Sequence, residues 1–312
     1  MKKLLPVASI LLLGALPWAA QAQLLQLDQE PVRAITEPPT PTISWVNKSI
    51  PAKGYLLCVH GLGLHKGTFQ QFGDRMSKLG WGVYACDVRG FGSFREMGVA
   101  TTIDFPGCLH DVHNALKMVR KEAGKKPVFI VGESMGGAIA LRITSMYPEL
   151  VDGLVSSVPG GARHGQMGDS VKVGLHLLGG AHKEMDVRKI VVDRSTKDAK
   201  MKEEWLNDQL ARFELSPVEL IKFQNFMAEN QAAAKKVTKT PVLMLCGRED
   251  RLVQTSSNEE LIRAIPNGTL IEVEGKEHLL LEEGQFDDAL IGVLTAWLDE
   301  HSHKTVSASL AP

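Results

Sequence analysis

The best candidate for a chemically reactive residue in this chain is a serine that lies between glycines. Gly132-Glu133-Ser134-Met135-Gly136 fits Gly-x-Ser-x-Gly, with an apolar run at 128–131 before it and a helix-forming run at 138–142 after it. A strand, a sharp turn and a helix are the context in which a nucleophile elbow presents a strained serine hydroxyl. The flanking glycines leave room for the helix to pack against the strand. The pattern predicts Ser134 as a nucleophile, and a flexible glycine-rich turn is the alternative interpretation.

A serine hydroxyl is a weak nucleophile until a base removes its proton, so a histidine is also required. His278 follows the apolar run 270–273, which places it in a loop at the carboxyl end of a predicted strand. Surface or packing roles are expected for seven other histidines, which fall in a polar tail (His301, His303), in one helix (His110, His113) and in the central block (His164, His176, His182). His278 is therefore the predicted general base.

The base needs an acidic group that orients it, and this group should also follow a strand. Asp250 comes shortly after the apolar run 241–245. Glu249 is the nearest rival acid and Asp152 a more remote one, while a surface salt bridge is the alternative role for Asp250. With Asp250, the order along the chain is Ser134, Asp250, His278, which is the order of the catalytic residues in α/β-hydrolases.

Acyl transfer also needs hydrogen-bond donors aimed at the developing oxyanion. One predicted donor is the backbone N–H of Met135, directly after the nucleophile. The second is the backbone N–H of Leu62 in His60-Gly61-Leu62-Gly63, because this loop follows the first core strand and its glycines allow a close approach. His60 is expected to hold the loop in shape.

Short apolar runs that alternate with helical patterns must position these residues. Runs that are apolar almost throughout are typical of parallel strands buried on both faces, and the alternation predicts an α/β fold with right-handed crossovers. The predicted core comprises residues 42–159 and 241–300. Its strands fall at 43–46, 55–59, 82–86, 128–131, 151–158, 241–246 and 269–273, and its helices at 69–79, within 103–123, after the elbow and at 286–299.

The block 160–240 interrupts this alternation, with helical patterns but no strand run. Ser216-Pro217-Val218-Glu219 has an N-cap serine, a proline at the first helical position and a glutamate three residues after the cap, which together predict a helix start. The block is predicted to be a helical lid over the carboxyl edge of the sheet, capable of transient contact with lipid. Its apolar residues are expected mostly to pack, with a few lining a pocket: Val171, Leu175, Leu177, Leu178, Phe223, Phe226 and Met227.

The start of the chain has the features of a secretory signal peptide. Lys2 and Lys3 precede an apolar run at 4–16, and Ala20-Gln21-Ala22 predicts cleavage before Gln23. A membrane anchor is the alternative, but the run is too short to cross a bilayer. Residues 1–22 are thus predicted to direct export, to the periplasm or outside the cell. A proline-rich extended arm is predicted at 23–41 and a flexible tail at 301–312.

Composition excludes several other classes of protein. Removal of the two signal lysines would change the formal net charge from −1 to −3, and no basic cluster suggests nucleic-acid binding. Of the four cysteines, Cys58, Cys86 and Cys246 lie in apolar runs and Cys108 in a helix, so buried thiols are predicted; Cys58–Cys86 is the pair to suspect if a disulfide exists. No spacing of cysteine or histidine suggests a metal site, and no cofactor is implied.

With these motifs, the sequence resembles the monoacylglycerol lipase-like group of α/β-hydrolases, which includes lysophospholipases and serine aminopeptidase-like members. The resemblance covers roughly residues 50–300 apart from the lid, and it implies an α/β-hydrolase fold and a serine hydrolase activity. Its motifs are His60-Gly61-Leu62-Gly63, Asp87-Val88-Arg89-Gly90-Phe91-Gly92-Ser93, the elbow, Cys246-Gly247-Arg248-Glu249-Asp250 and Gly275-Lys276-Glu277-His278. These motifs depart from the pattern in two places: the stretch Arg89-Gly90-Phe91-Gly92 replaces Gly-His-Gly, and Glu133 replaces the commoner histidine before the nucleophile.

Three hypotheses about function follow. The first is an exported esterase or lipase-like enzyme that cleaves carboxylic esters of single acyl chains, with Ser134, His278 and Asp250 as its triad. The second is an aminopeptidase of the same fold, which needs an acidic lid residue to bind a free amino terminus; Glu184, Asp186 and Glu203 are the candidates. The third is a binding protein that uses the fold as a scaffold, against which the complete triad argues.

Overall fold

The computed structural model of the chain describes residues 39–165 and 180–302. The predicted signal peptide, nearly all of the predicted arm and all but the start of the predicted tail lie outside the described residues. So does the stretch 166–179 of the predicted lid, with Val171, Leu175, Leu177 and Leu178.

A seven-stranded sheet forms the centre of the fold. The strands of the protein are β1 Thr42–Trp45, β2 Gly54–Val59, β3 Trp81–Cys86, β4 Val128–Glu133, β5 Gly153–Ser157, β6 Met185–Asp186, β7 Glu214–Leu215, β8 Val242–Gly247 and β9 Gly268–Val273. The order of strands in the central sheet is β1-β3-β2-β4-β5-β8-β9. Only β1 at one edge runs antiparallel to its neighbour within this sheet, and the other neighbouring strands are parallel. The prediction of a mostly parallel α/β fold is confirmed.

Helices cover both faces of the sheet. They are α1 Gln70–Lys78, α2 Gly92–Glu96, α3 Phe105–Ala123, α4 Met135–Met146, α5 Arg188–Ser195, α6 Ala199–Asn207, α7 Pro217–Ala228, α8 Asn230–Ala234, α9 Thr255–Ile262 and α10 Asp288–Ser302, with short 3₁₀ turns at Lys66–Phe69, Pro148–Leu150 and Glu282–Gly284. Strand β2 shows why both faces need cover. Its residues 55, 57 and 59 pack with α3 and α4, and 56 and 58 pack with α1 and α10, because side chains alternate along a strand.

The sheet brings the predicted site residues to one edge. Strands β2 and β4 are parallel neighbours, and Val59 is paired with Gly132 at their carboxyl ends. Strands β8 and β9 are also parallel neighbours two positions further along the sheet. The loops after β2, β4, β8 and β9 carry Leu62, Ser134, Asp250 and His278, so all four lie at the same edge.

The described parts of the block 160–240, here called the inserted segment, contain four helices and one small strand pair. Helix α7 begins as predicted, with Ser216 as its N-cap and a complete capping box with Glu219. The expectation of helical patterns without a strand is wrong at one point, because β6 and β7 form an antiparallel pair with Met185 opposite Leu215. Strands of two residues are too short for an alternating pattern to be visible in the sequence.

The four cysteines are buried free thiols, as predicted. Cys58 and Cys86 lie on neighbouring strands, and the Cys86 thiol approaches the Cys58 carbonyl at 3.8 Å rather than forming a disulfide. Burial raises the pKa of all four thiols, to about 12 at Cys246. Within the described residues, no helix is long and apolar enough to cross a bilayer.

Candidate active site

Ser134 lies in a strained turn between β4 and α4. Its φ of 54° and ψ of −115° lie outside the regions that residues with a side chain ordinarily adopt. The Ser134 N–H donates to the Ser157 carbonyl at 2.8 Å, which ties the turn to β5. A Cβ at Gly132 would overlap the Gly136 carbonyl, and one at Gly136 would overlap the Val59 carbonyl. Only glycine fits at these two positions, so the motif has the geometry of a nucleophile elbow.

Ser134, His278 and Asp250 form a continuous series of hydrogen bonds. Ser134 Oγ lies 3.0 Å from His278 Nε2, and His278 Nδ1 lies 2.8 Å from Asp250 Oδ2. An ionised carboxylate can only accept, so its bond to Nδ1 places the imidazole proton there. Nε2 is then left to accept the proton of the serine hydroxyl. The structure thus brings the three predicted residues together in the geometry of a Ser-His-Asp triad.

Charge and burial act on this series in opposite directions. Burial lowers the pKa of His278, but the charge of Asp250 and its hydrogen bond outweigh burial, and Glu133 adds to them, so the pKa is raised. Burial raises the pKa of Asp250, yet the charge of His278, its hydrogen bond and the amides of Leu252 and Val253 lower it overall. Asp250 is therefore a carboxylate that stabilises protonated His278.

The two rival acids lie elsewhere. The Glu249 carboxylate is half exposed and pairs with Lys197 at 2.7 Å. Asp152 precedes β5, at the amino end of the strand, where it accepts from Arg120 and from the Val128 amide. Neither is hydrogen-bonded to His278.

The loop after β2 is fixed by His60. His60 Nδ1 lies 2.8 Å from the Gly61 carbonyl, and the Val88 amide donates to His60 Nε2 at 3.2 Å. Burial lowers the pKa of His60 to about 4, so the ring is neutral at physiological pH. The Leu62 and Met135 amides have no hydrogen-bond partner among the described residues. Both candidate oxyanion donors are thus available to a ligand.

A mainly apolar pocket opens at Ser134. Among the described residues, the inserted segment supplies much of its wall and the loops of the core supply the rest. The lining residues are Gly61, Leu62, Leu64, Ser134, Gly160, Arg163, Ile190, Val191, Ser195, Trp205, Phe213, Phe223, Met227, Leu252, Val253, His278 and Leu279. Of the described apolar residues singled out in the sequence, Phe223 and Met227 line the pocket. Phe226 instead stacks on Phe105, with 4.0 Å between ring centres.

A buried ion pair within the inserted segment also contacts the core. Arg212 is 1% exposed, and its guanidinium bonds to both oxygens of Glu219 at 2.7 and 3.0 Å. It also reaches the Gly90 carbonyl at 3.3 Å, while its amide donates to the Gly63 carbonyl at 2.7 Å. The pocket wall and the candidate oxyanion loop are therefore connected directly.

Two features of the site could not be located from the sequence. Arg163 lines the pocket and places its guanidinium 5.2 Å from the centre of the Phe223 ring. Glu282 lies beneath the loop after β2 and accepts from the Gly61 amide at 2.7 Å. Neither residue belongs to a motif that signals its position, because Arg163 lies outside the helices and strands and Glu282 lies in a short 3₁₀ turn.

The three acids considered for an aminopeptidase do not line this pocket. Glu184 bonds to Arg212 at 2.9 Å, Asp186 caps the backbone of Arg188, and Glu203 is exposed on α6. No cluster of three potential metal ligands occurs among residues 39–165 and 180–302.

The mostly parallel sheet, the nucleophile elbow and the hydrogen bonds that join Ser134, His278 and Asp250 together define an α/β-hydrolase. The family described as serine aminopeptidase, S33, matches residues 50–285, which is more than half of the chain, and the chain belongs to this family. Monoglyceride lipase of Mus musculus is 25% identical over 264 residues, covering 82% of this chain and 84% of the relative. Monoacylglycerol lipase of Mycolicibacterium smegmatis is 21% identical over 252 residues, covering 80% and 89%.

Solved structures agree on the fold. A soluble variant of monoglyceride lipase from Saccharomyces cerevisiae, in complex with a substrate analogue, superimposes with a TM-score of 0.73 at 19% identity, covering 84% of this chain and 91% of that one. Monoacylglycerol lipase of Paleococcus ferrophilus gives 0.68 at 20% identity, covering 85% and 100%. The protein is a monoacylglycerol lipase-like α/β-hydrolase, a serine hydrolase of the carboxylic ester hydrolase type.

Proposed function

We propose that this protein is an exported serine hydrolase that cleaves carboxylic esters of single acyl chains, of the monoacylglycerol or lysophospholipid kind. The observation that carries the proposal is the series Ser134–His278–Asp250 at the opening of a mainly apolar pocket. An aliphatic chain is the ligand that such a pocket binds best, because burial of apolar surface is favourable. The names of the monoglyceride lipase relatives support the same substrate class.

In the proposed mechanism, Ser134 Oγ attacks the ester carbonyl carbon while His278 Nε2 takes the hydroxyl proton. The amides of Leu62 and Met135 donate to the oxyanion of the tetrahedral intermediate. His278 then passes its proton to the departing alcohol, which leaves an acyl group on Ser134. Water, deprotonated by the same imidazole, then attacks the acyl carbon. The bond to Ser134 Oγ breaks, His278 returns its proton to that oxygen, and the fatty acid is released. Asp250 stabilises the imidazolium at each step.

An aminopeptidase is the second candidate, because the family description names that activity. A free amino terminus requires a carboxylate close to the nucleophile. Glu184, Asp186 and Glu203 do not meet this requirement, since the first two have partners in the inserted segment and the third is exposed. Hydrolysis of esters is therefore the preferred activity.

A substrate panel separates the candidates. It comprises short-chain and long-chain aryl esters, a monoacylglycerol, a lysophospholipid and an aminoacyl anilide, each measured with the wild type and with Ser134→Ala. We expect a preference for medium or long acyl esters and a loss of about 10⁴-fold or more in the variant. Turnover of the anilide alone would move the protein to the peptidases. Failure of a fluorophosphonate to label Ser134 in the folded protein would favour a binding protein.

Export is proposed from the sequence of residues 1–22. N-terminal sequencing of the protein from periplasmic extract and from culture medium should find Gln23 as the first residue, and the richer fraction would identify the compartment. Recovery of a chain that starts at Met1 in the membrane fraction would contradict removal of the signal.

Transient contact between the inserted segment and lipid is proposed because this segment supplies apolar pocket residues such as Ile190, Phe213 and Phe223. Hydrolysis of one monoacylglycerol can be measured below and above its critical micelle concentration. A rate that increases when aggregates form would support contact with the lipid surface. A rate that depends only on dissolved substrate would contradict it.

A further inference from the structure

Two buried glutamates lie directly behind the candidate active site. Glu133 precedes the serine of the elbow, and Glu282 follows His278 by four residues. Both are 0% exposed. The proposed mechanism uses neither of them, and Glu133 is a position where the sequence departs from the pattern that it resembles. Buried carboxyl groups are costly to maintain, so their partners indicate what they do.

The partners of Glu133 are hydrogen-bond donors. Oε1 accepts from the Ser157 hydroxyl at 2.6 Å and from the Leu280 amide at 2.7 Å. Oε2 accepts from the amides of Leu281 at 3.1 Å and Glu282 at 2.8 Å. Three of these four partners are amides, which can only donate, and an ionised carboxylate can only accept. The donors around Glu133 therefore fit its ionised form, a carboxylate.

Glu282 has a different set of partners. Its Oε1 accepts from the Gly61 amide, while its Oε2 lies 2.5 Å from Thr68 Oγ1, which also lies 2.7 Å from the His65 carbonyl. A hydroxyl carries one hydrogen and a carbonyl carries none. If the Thr68 hydrogen is directed to His65, the hydrogen between Thr68 and Glu282 belongs to Glu282. The geometry fits a protonated carboxyl.

Electrostatics favours the same assignment. Burial, and then the charge of Glu133, raise the pKa of Glu282 well above its usual value. Burial also raises the pKa of Glu133, but less than that of Glu282, because the Ser157 hydroxyl and the three amides favour its ionised form and oppose the rise. Two carboxyl groups this close in an apolar interior do not both ionise, so the group with more donors holds the charge.

We propose that Glu133 is an ionised positioning residue and Glu282 a protonated one, and that together they hold the three parts of the active site in register. Glu133 ties the nucleophile elbow to the amides 280–282 that follow His278. Glu282 ties the same stretch to Gly61, directly before Leu62. The elbow, the histidine loop and the oxyanion loop then share one network with one buried charge. This inference rests on the proposed function.

A matched pair of substitutions tests the assignment. In Glu282→Gln the amide nitrogen replaces the protonated oxygen and still donates to Thr68, so kcat/KM should stay within about threefold of wild type. In Glu133→Gln either orientation of the side chain points an NH₂ group at a backbone amide. We expect kcat to fall by about 10- to 100-fold. The reverse pattern, or equal losses in both variants, would overturn the assignment.

The pH profile supplies a readout that a merely structural role would not change. His278 is faced by Asp250 and by Glu133, while Cys58, Glu283 and Glu282 are the other titratable groups around the pair. Glu133→Gln removes a negative charge that raises the pKa of His278. The acid limb of kcat/KM should therefore move to lower pH in that variant and stay in place in Glu282→Gln. A limb that moves only in Glu282→Gln would contradict the proposal.

An infrared measurement keeps the proposal testable even if Glu133→Gln does not fold. At neutral pH the wild type should show the C=O stretch of a protonated carboxyl, and Glu282→Gln should lack it. A wild-type spectrum without that band, or a band that persists in the variant, would overturn the assignment. The measurement needs no turnover, so its outcome is independent of whether Ser134 acts as the nucleophile.

Discussion

The two sides of the candidate active site are held by different kinds of interaction. Beneath Ser134, the loops of the core are positioned by directional hydrogen bonds to His278, Asp250 and the buried glutamates. Above it, the inserted segment presents apolar side chains such as Trp205 and Phe213. Proton transfer requires defined donors and acceptors, whereas an acyl chain requires only shape and apolar surface. We expect substitutions beneath the serine to affect all substrates and those above it to select among them.

The two sides meet at Arg212. Its side chain reaches the loop at Gly90 and pairs with Glu219, which in turn accepts from the Ile103 amide at 3.0 Å, and its backbone bonds to Gly63. This part of the inserted segment is therefore anchored to the core through buried polar contacts. Such contacts are costly to break, because each separated partner remains buried.

Among the substitutions that compare the two sides of the site, the largest effect is expected from Asp250→Asn, which breaks a directional hydrogen bond beneath the serine. An asparagine can present its NH₂ to His278 and stabilise the wrong tautomer, so kcat/KM should fall by about 10³- to 10⁴-fold for every ester in the panel. In the wild type, kcat/KM should fall as the pH decreases through the raised pKa of His278, since the base must be neutral. Loss of the Asp250 charge lowers that pKa, so the residual activity should persist to lower pH.

Glu249→Gln is the matched control for this variant, because Glu249 is adjacent in sequence but half exposed and paired with Lys197. Its rates and pH profile should equal those of the wild type. A loss that differs between short and long esters in Asp250→Asn would contradict the assignment of Asp250 to the chemistry.

A smaller effect, on stability, is expected from Arg212→Met. The substitution leaves Glu219 buried without its cation, so the free energy of unfolding should decrease by about 3–5 kcal/mol. Arg188→Met is the control, because its partner Glu214 and Arg188 itself are both more than a third exposed. Such a pair contributes about 0–1 kcal/mol. Urea unfolding of both variants measures the difference, and equal losses would show that the two sides are not anchored as described.

The smallest effect should come from Phe223→Ala, which changes the apolar side alone. Removing the ring takes apolar contact from a long acyl chain, so kcat/KM for long esters should fall by about tenfold while that for acetyl esters changes little. Leu206→Ala serves as control, since Leu206 lies in the same segment, is 48% exposed and does not line the pocket. An equal loss for all chain lengths would indicate that Phe223 positions the catalytic residues rather than binding the acyl chain.

Local patterns were the best guide to the fold. Every core strand was predicted to within a few residues. The signal was clearest for β2, β4 and β8, because these strands are buried on both faces and are apolar almost throughout. The start of α7 at Ser216-Pro217 was also predicted, since an N-cap and a proline act within a few residues. The β6–β7 pair was missed. Its register depends on Met185 meeting Leu215, a contact between distant residues that leaves no mark on either stretch alone.

The sequence by itself determined the nucleophile motif, the order Ser134, Asp250, His278 and the loop of Leu62, because each follows an apolar strand and parallel strands end at one edge. Only the tertiary structure decided which acid meets His278, which side chains face the acyl pocket and what the two buried glutamates bind. These features depend on distances between residues that are far apart in the chain. Glu133 and Glu282 are 149 positions apart, yet the Glu282 amide donates to the Glu133 carboxylate at 2.8 Å.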